Sequence, residues 1–191
     1  MAINLQKGQR ISLDKSMKRA LIGLGWDTNK YDGGGDFDLD ASVFLIGPTG
    51  KMTCDEDFVF YNNLESRNGA VKHMGDNRTG AGDGDDEVIV VDFTKMPEEI
   101  LKLVICVTIH EAEQRRQNFG MVSNAYVRVA KLNDENDMQG EDQLRFDLEE
   151  EFYLETGIVV CEIYKHNGEW KFNAVAAGYQ GGLQAMLDTY N

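Results

Sequence analysis

The hydrophobic positions of this chain fall into short runs separated by turn residues: "RALIGLGW", "ASVFLIG", "DFVFYN", "EVIVVDF", "LKLVICVTI", "NAYVRVAKL", "QLRFDL", "IVVCEIYK" and "WKFNAVAAGY". Runs of this length, rich in branched and aromatic residues, predict strands. In "NAYVRVAKL", Ala125, Val127 and Val129 alternate with Tyr126 and Arg128, the pattern of a strand with one wet face. "EVIVVDF" and "LKLVICVTI" are apolar almost throughout and are expected to be central. Between the last two runs, Asn167-Gly168 predicts a tight hairpin, because both residues tolerate positive φ. Helical signals are few: one turn from Pro97 in "PEEI", a short connecting helix in "EAEQRRQ" and a C-terminal amphipathic helix in "GLQAMLDTY". The expected architecture is mainly β, a two-sheet antiparallel sandwich with a few short helices. With 191 residues and no linker or low-complexity stretch, one domain over residues 1–191 is expected.

Two turns stand apart from the rest. "DNRTGAGDGDDE", residues 76–87, gathers Asp76, Asn77, Asp83, Asp85, Asp86 and Glu87 among three glycines. "WDTNKYDGGGDFDLDAS" offers Asp27, Asp32, Asp36, Asp38 and Asp40. Each is a glycine-rich acidic loop feeding an apolar strand, so similar roles are expected of both. If residues 36–40 are extended, Asp36, Asp38 and Asp40 share one face while Phe37 and Leu39 enter the core. Like charges at such density repel unless a cation sits among them, and glycines let the backbone bend so that oxygens converge on it. Residues 76–87 span the length of an EF-hand loop, but Arg78 and Gly80 occupy its third and fifth positions, so the motif is a different one. No His or Cys lies within that loop, which favours calcium or magnesium over zinc or copper, and the number of carboxylates favours calcium. Glu113, in the connecting helix, is a further candidate ligand if that turn folds back over the loops.

Charge agrees with this picture. There are 33 acidic against 19 basic residues, a formal charge of −14, which argues against nucleic acid or an anionic membrane as the main partner. No stretch approaches the roughly 20 apolar residues of a membrane span, and the first residues do not read as a signal peptide, so direct membrane insertion is not expected and a cytoplasmic location is. Cys54, Cys106 and Cys161 are widely spaced, and the last two lie in apolar strands, which predicts inert buried thiols rather than a disulfide framework.

Catalytic signals are absent. His73, His110 and His166 show no nucleophile or metal spacing, although His73 lies near the second acidic loop and could neighbour a site there. The glycines match neither a phosphate-binding loop nor a dinucleotide fingerprint. Trp26, Trp170, Phe172 and Tyr179 are expected in the core.

The segments "GLGWD", "FDLDAS", "DNRTGAGDGDDE", "RRQNFG" and "GEWKFNAVAAGYQGGL", in this order, resemble the tellurium-resistance TerD family over about residues 8–187. "GGGDFDLDAS" is richer in glycine than the family usually is, and "CDEDFVFYNNLESRNGAVKHMGD" carries extra charge. The resemblance implies a calcium-binding β-sandwich of bacterial stress responses, an interaction module rather than an enzyme, and the two carboxylate clusters suggest about two Ca2+ ions. The family's acidic positions fall on Asp27, Asp36, Asp38, Asp40, Asp76, Asn77, Asp83, Asp85, Asp86 and Glu87. The implied partners are other tellurite-resistance proteins and a membrane component. Two other functions compete with this one. A metal-dependent phosphoester hydrolase would need open metal positions and substrate-binding bases, and His and Lys are scarce around the loops. A nucleotide-binding module is suggested by a related cyclic-AMP-binding protein of slime moulds.

Overall fold

The computed structural model describes residues 2–27, 37–75, 84–148 and 152–191. Within them the chain runs β1 (Ile3–Asn4), β2 (Arg10–Ser12), β3 (Arg19–Gly25), β4 (Leu39–Ile46), β5 (Phe58–Val59), β6 (Val71–His73), β7 (Glu87–Asp92) and β8 (Lys102–Ile109). It continues with α1 (Ala112–Arg115), β9 (Tyr126–Leu132), β10 (Glu141–Asp147), β11 (Gly157–His166), β12 (Glu169–Tyr179) and α2 (Gly182–Tyr190). Sheet 1 has the order β1-β10-β9-β3-β7-β6, and sheet 2 the order β2-β12-β11-β8-β4-β5. The two-sheet, mainly β expectation therefore holds. Every described pairing between named strands is antiparallel except one: the two residues of the edge strand β1 lie parallel to β10. The strands that the apolar pattern does not predict, β1, β2 and β6, have only two or three residues each, too few to show a period.

The core forms where the inner faces meet. Ile22 and Leu24 of β3, Ile89 and Val91 of β7, and Val127 and Val129 of β9 face Val43 and Leu45 of β4, Ile105 and Val107 of β8, and Ile163 of β11. Tyr126 and Arg128 stay out of this cluster, as their alternation requires. Trp26 and Phe172 are buried, whereas Trp170 and Tyr179 are only partly so.

The continuous apolarity of β8 has two causes. It lies between β11 and β4 inside sheet 2, and α2 covers its outer face. There Val104 and Cys106 pack with Phe44, Phe58, Val159 and Met186 in a second buried layer. Phe44 and Phe58 stack with centroids 4.5 Å apart. By contrast β7 is next to the last strand of sheet 1, with only the short β6 beyond it. Val90 on its outer face is buried with Leu21, Ala130 and Leu132.

The hairpin at Asn167-Gly168 is present, with φ of 53° and 77° and His166 opposite Glu169. Residues 97–100 close a single turn through the Ile100 N–H and the Pro97 carbonyl, 3.1 Å apart, without propagating a helix. All three cysteines are free. Burial raises the thiol pKa of Cys106 and Cys161, which keeps them protonated and unreactive.

The outer layer is structural, and its removal has a definite cost. Phe44→Ala is expected to lower unfolding free energy by about 3–5 kcal/mol, whereas exposed Leu154→Ala should stay within about 0.5 kcal/mol. Urea denaturation of the two variants checks this.

Candidate metal centre

Antiparallel register brings the acidic segments together. In sheet 1, β3 ends where β7 and β9 begin, with Leu24 opposite Glu87 and Gly25 opposite Tyr126. In sheet 2, β4 begins where β8 ends, with Leu39 opposite Ile109. Two hydrogen bonds join these ends across the sandwich. The Ala41 N–H donates to Glu87 Oε2 at 2.5 Å, and Trp26 Nε1 donates to the Phe37 carbonyl at 3.1 Å. Asp27, Asp38, Asp40, Asp86 and Glu87 thus lie at one end of the molecule, on segments from both sheets.

Phe37 and Leu39 enter the core, as the extended alternation predicts. Asp38 and Asp40 lie outside the core cluster yet are only 5% and 4% exposed. The Asp38 carboxylate is 3.7 Å from the Arg115 guanidinium, and its backbone carbonyl accepts the His110 N–H at 2.8 Å. The Asp40 carboxylate is 3.4 Å from His110 Nδ1. It borders a cavity of about 520 Å3, lined also by Tyr61, His110, Glu113 and the first turn of α2. Glu113 itself is exposed on α1.

On the sheet 1 side, the Asp27 N–H donates to the Ser123 carbonyl at 3.0 Å, and its carboxylate accepts Asn124 Nδ2 at 2.5 Å. Asn124 has φ of 54°, a left-handed conformation that asparagine tolerates better than most residues. Asp86 accepts the Trp26 N–H at 2.9 Å. Burial pushes its carboxyl pKa above the ordinary value; the Trp26 bond opposes this, and like-charged Asp85 and Asp27 add to the rise. Glu87 is 1% exposed, with His73 Nε2 at 3.6 Å from its Oε2. His73 Nδ1 accepts the Gly75 N–H at 3.3 Å, so the buried imidazole is a direct neighbour of the acidic segment.

Asp85 has a different environment. Arg128 Nε lies 2.9 Å from each of its oxygens, Arg128 Nη2 is 2.7 Å from Oδ2, and the Tyr126 hydroxyl donates to Oδ1 at 3.1 Å. Burial and the Asp85 charge push the Tyr126 hydroxyl up to about 12, which keeps it a neutral donor. Asp36, Asp76, Asn77 and Asp83 lie outside the described residues, as does Asp32. Among the described residues, no three His, Cys, Asp or Glu side chains already stand close enough to hold an ion. What the described residues supply is a set of hard oxygen donors, suited to calcium or magnesium.

A family model described as TerD domain matches residues 1–190. The chain belongs to the TerD domain family. It is 52% identical over 193 residues to general stress protein 16U of Bacillus subtilis (strain 168), covering 100% of this chain and 97% of that protein. It is 50% identical over 193 residues to tellurium resistance protein TerD of Serratia marcescens, again covering 100% and 97%. The crystal structure of a TerD homologue from Streptomyces coelicolor A3(2) superposes with a TM-score of 0.73 at 22% identity, over 90% of this chain and 96% of that one, which shows the shared fold. The chain is thereby placed among the tellurium- and chemical-damage-resistance stress proteins.

The two glycines of "GLGW" have a steric reason in this chain. A Cβ on Gly23 would sit 2.2 Å from Asp85 Oδ2, and one on Gly25 would sit 2.5 Å from the Tyr126 ring. The glycines clear the surface of β3 for the side chains that lie across it. Arg128, Tyr126, Ser123 and Asn124 support the acidic segments but were not legible as such. In the linear chain they are simply polar positions of a wet strand face and the turn before it, and only strand pairing brings them to the acids.

The Asp86 shift has a signed consequence for stability. A carboxyl whose folded pKa is raised favours folding fully below its unfolded pKa, and this contribution is lost as pH rises through the folded value. In chelator, the stability of Asp86→Asn relative to wild type should therefore improve as pH rises from about 4 to 7. Thermal melts across that range measure the trend.

Proposed function

We propose that this TerD domain is a calcium-binding, non-catalytic module that acts in the cytoplasm in the response to tellurite and related stress. The observation that carries the proposal is the burial of Asp38, Asp40 and Glu87, which are 5% or less exposed and come from both sheets to the end of the sandwich where Asp27 and Asp86 also lie. Ionised carboxylates gathered out of water are costly without compensating charge, and a divalent cation supplies that charge. The described residues that would hold the ions are Asp27, Asp38, Asp40, Asp86 and Glu87, with Glu113 at the margin. Asp36, Asp76, Asn77 and Asp83 are candidates from the rest of the two loops. A bound cation would draw these segments together and present a defined acidic surface to other tellurite-resistance proteins and to a membrane component. No helix among the described residues is long and apolar enough to cross a membrane.

Isothermal titration of chelated protein with calcium should show about two equivalents, the number suggested by two carboxylate clusters. Asp38→Ala should weaken binding far more than Asp137→Ala, because Asp137 is occupied in capping its own exposed turn through Asn133 and Gly140. Equal effects, or no binding, would overturn the reading.

Calcium should also stabilise the fold, because an unfolded chain cannot assemble the ligands. At 1,000 times the dissociation constant, each independent site adds roughly 4 kcal/mol, enough to raise the melting midpoint by on the order of 10 °C. Melts in calcium and in chelator at fixed ionic strength test this. Equal stabilisation by sodium chloride would reduce the effect to screening.

A further inference from the structure

We infer that Asp85 and Arg128 form a latch that sets the direction of the metal-binding carboxylates in residues 84–87 without Asp85 itself binding the ion. This rests on the calcium reading above and assigns a separate role within the same acidic segment. Three observations carry it. The pair is nearly enclosed, with side-chain exposures of 6% for Asp85 and 19% for Arg128, and the guanidinium engages both carboxylate oxygens. The guanidinium is also held from its far side by the Gln139 carbonyl and the Asp142 carboxylate, so Arg128 is anchored to the β9–β10 hairpin rather than free to follow the loop. Gly23 leaves a space that the Asp85 carboxylate fills.

Glu87 shares a face of β7 with the core residues Ile89 and Val91, so a regular strand continued back from Glu87 would turn Asp85 inward as well. Instead Asp85 lies on the outer face of sheet 1, against Gly23 and Arg128. The departure lies at Asp86, whose N–H donates to the Leu24 carbonyl at 2.7 Å although Leu24 is the register partner of Glu87, so two residues oppose one and the alternation slips before Asp85. One acid is thereby drawn to the outer face, while Asp86 is held at the strand end and Glu87 in the interior. The arginine acts as a positioning residue: it touches no ion and determines which of three consecutive acids can.

The test uses Arg128→Met, Asp85→Asn and the double variant of the full chain, with two measurements. In calcium titration, each single variant should bind about tenfold more weakly, and the double no more weakly than either single, as a shared interaction requires. If Asp85 were a ligand, Asp85→Asn would weaken binding while Arg128→Met, which removes a competing cation, would leave it unchanged or tighten it; that result overturns the latch. In chelator, amide exchange at the Asp86 N–H should accelerate at least about tenfold in both single variants. Unchanged exchange overturns the latch whatever the calcium result. Faster exchange in a protein that takes up no calcium would support the latch and refute the calcium reading alone.

Discussion

The carboxylate of Glu87 lies inside the sandwich and accepts the Ala41 N–H across the gap between the sheets. A buried charge is tolerated only where its hydrogen bonds are supplied, and here the supply comes from the opposite sheet. The bond therefore fixes the separation and register of the two strand ends that carry the acidic loops. Trp26 makes a parallel connection: its indole reaches the Phe37 carbonyl while its own backbone N–H binds Asp86. Through these two residues the geometry of the candidate metal centre becomes a property of sheet packing rather than of either loop alone.

The same constraint explains why few of the acids at this end are simply solvated. Asp38 and Asp40 face Arg115 and His110, which follow β8 directly, and Asp85 faces Arg128 on β9. His110 and Arg115 lie in the turn and short helix after β8, the strand paired with β4, whereas Arg128 reaches Asp85 across β3. Exposed ion pairs contribute little to stability, but nearly enclosed ones fix geometry because either partner alone would be a buried charge. The acidic character seen along the chain is thus divided in the fold between Asp85, held on the outer face of sheet 1 by Arg128, and carboxylates gathered at the end where the two sheets meet.

The two glycines of "GLGW" join sequence and site. At an ordinary strand position a glycine weakens pairing and contributes no side chain to the core. On β3 their bare surface admits the Asp85 carboxylate and the Tyr126 ring, which a single added methyl would displace. The arrangement of the acidic end therefore depends on two residues that carry no chemistry of their own.

By itself the amino-acid sequence determined the strand-rich architecture, the Asn167-Gly168 hairpin, the inward turn of Phe37 and Leu39, and the two glycine-acid segments, because all of these follow from local periodicity and backbone preference. It left the parallel β1 and the short β2 and β6 undetected, since two or three residues carry no period. It could not separate Asp85 from Asp86 and Glu87, which are chemically alike and adjacent. That separation was decided by tertiary structure: Arg128 lies 43 residues away along the chain, and only the pairing of β3 with β9 and with β7 brings it beside Asp85. Burial of the acids was decided in the same way, because accessibility depends on which strands lie opposite, and no stretch of chain contains its own cover.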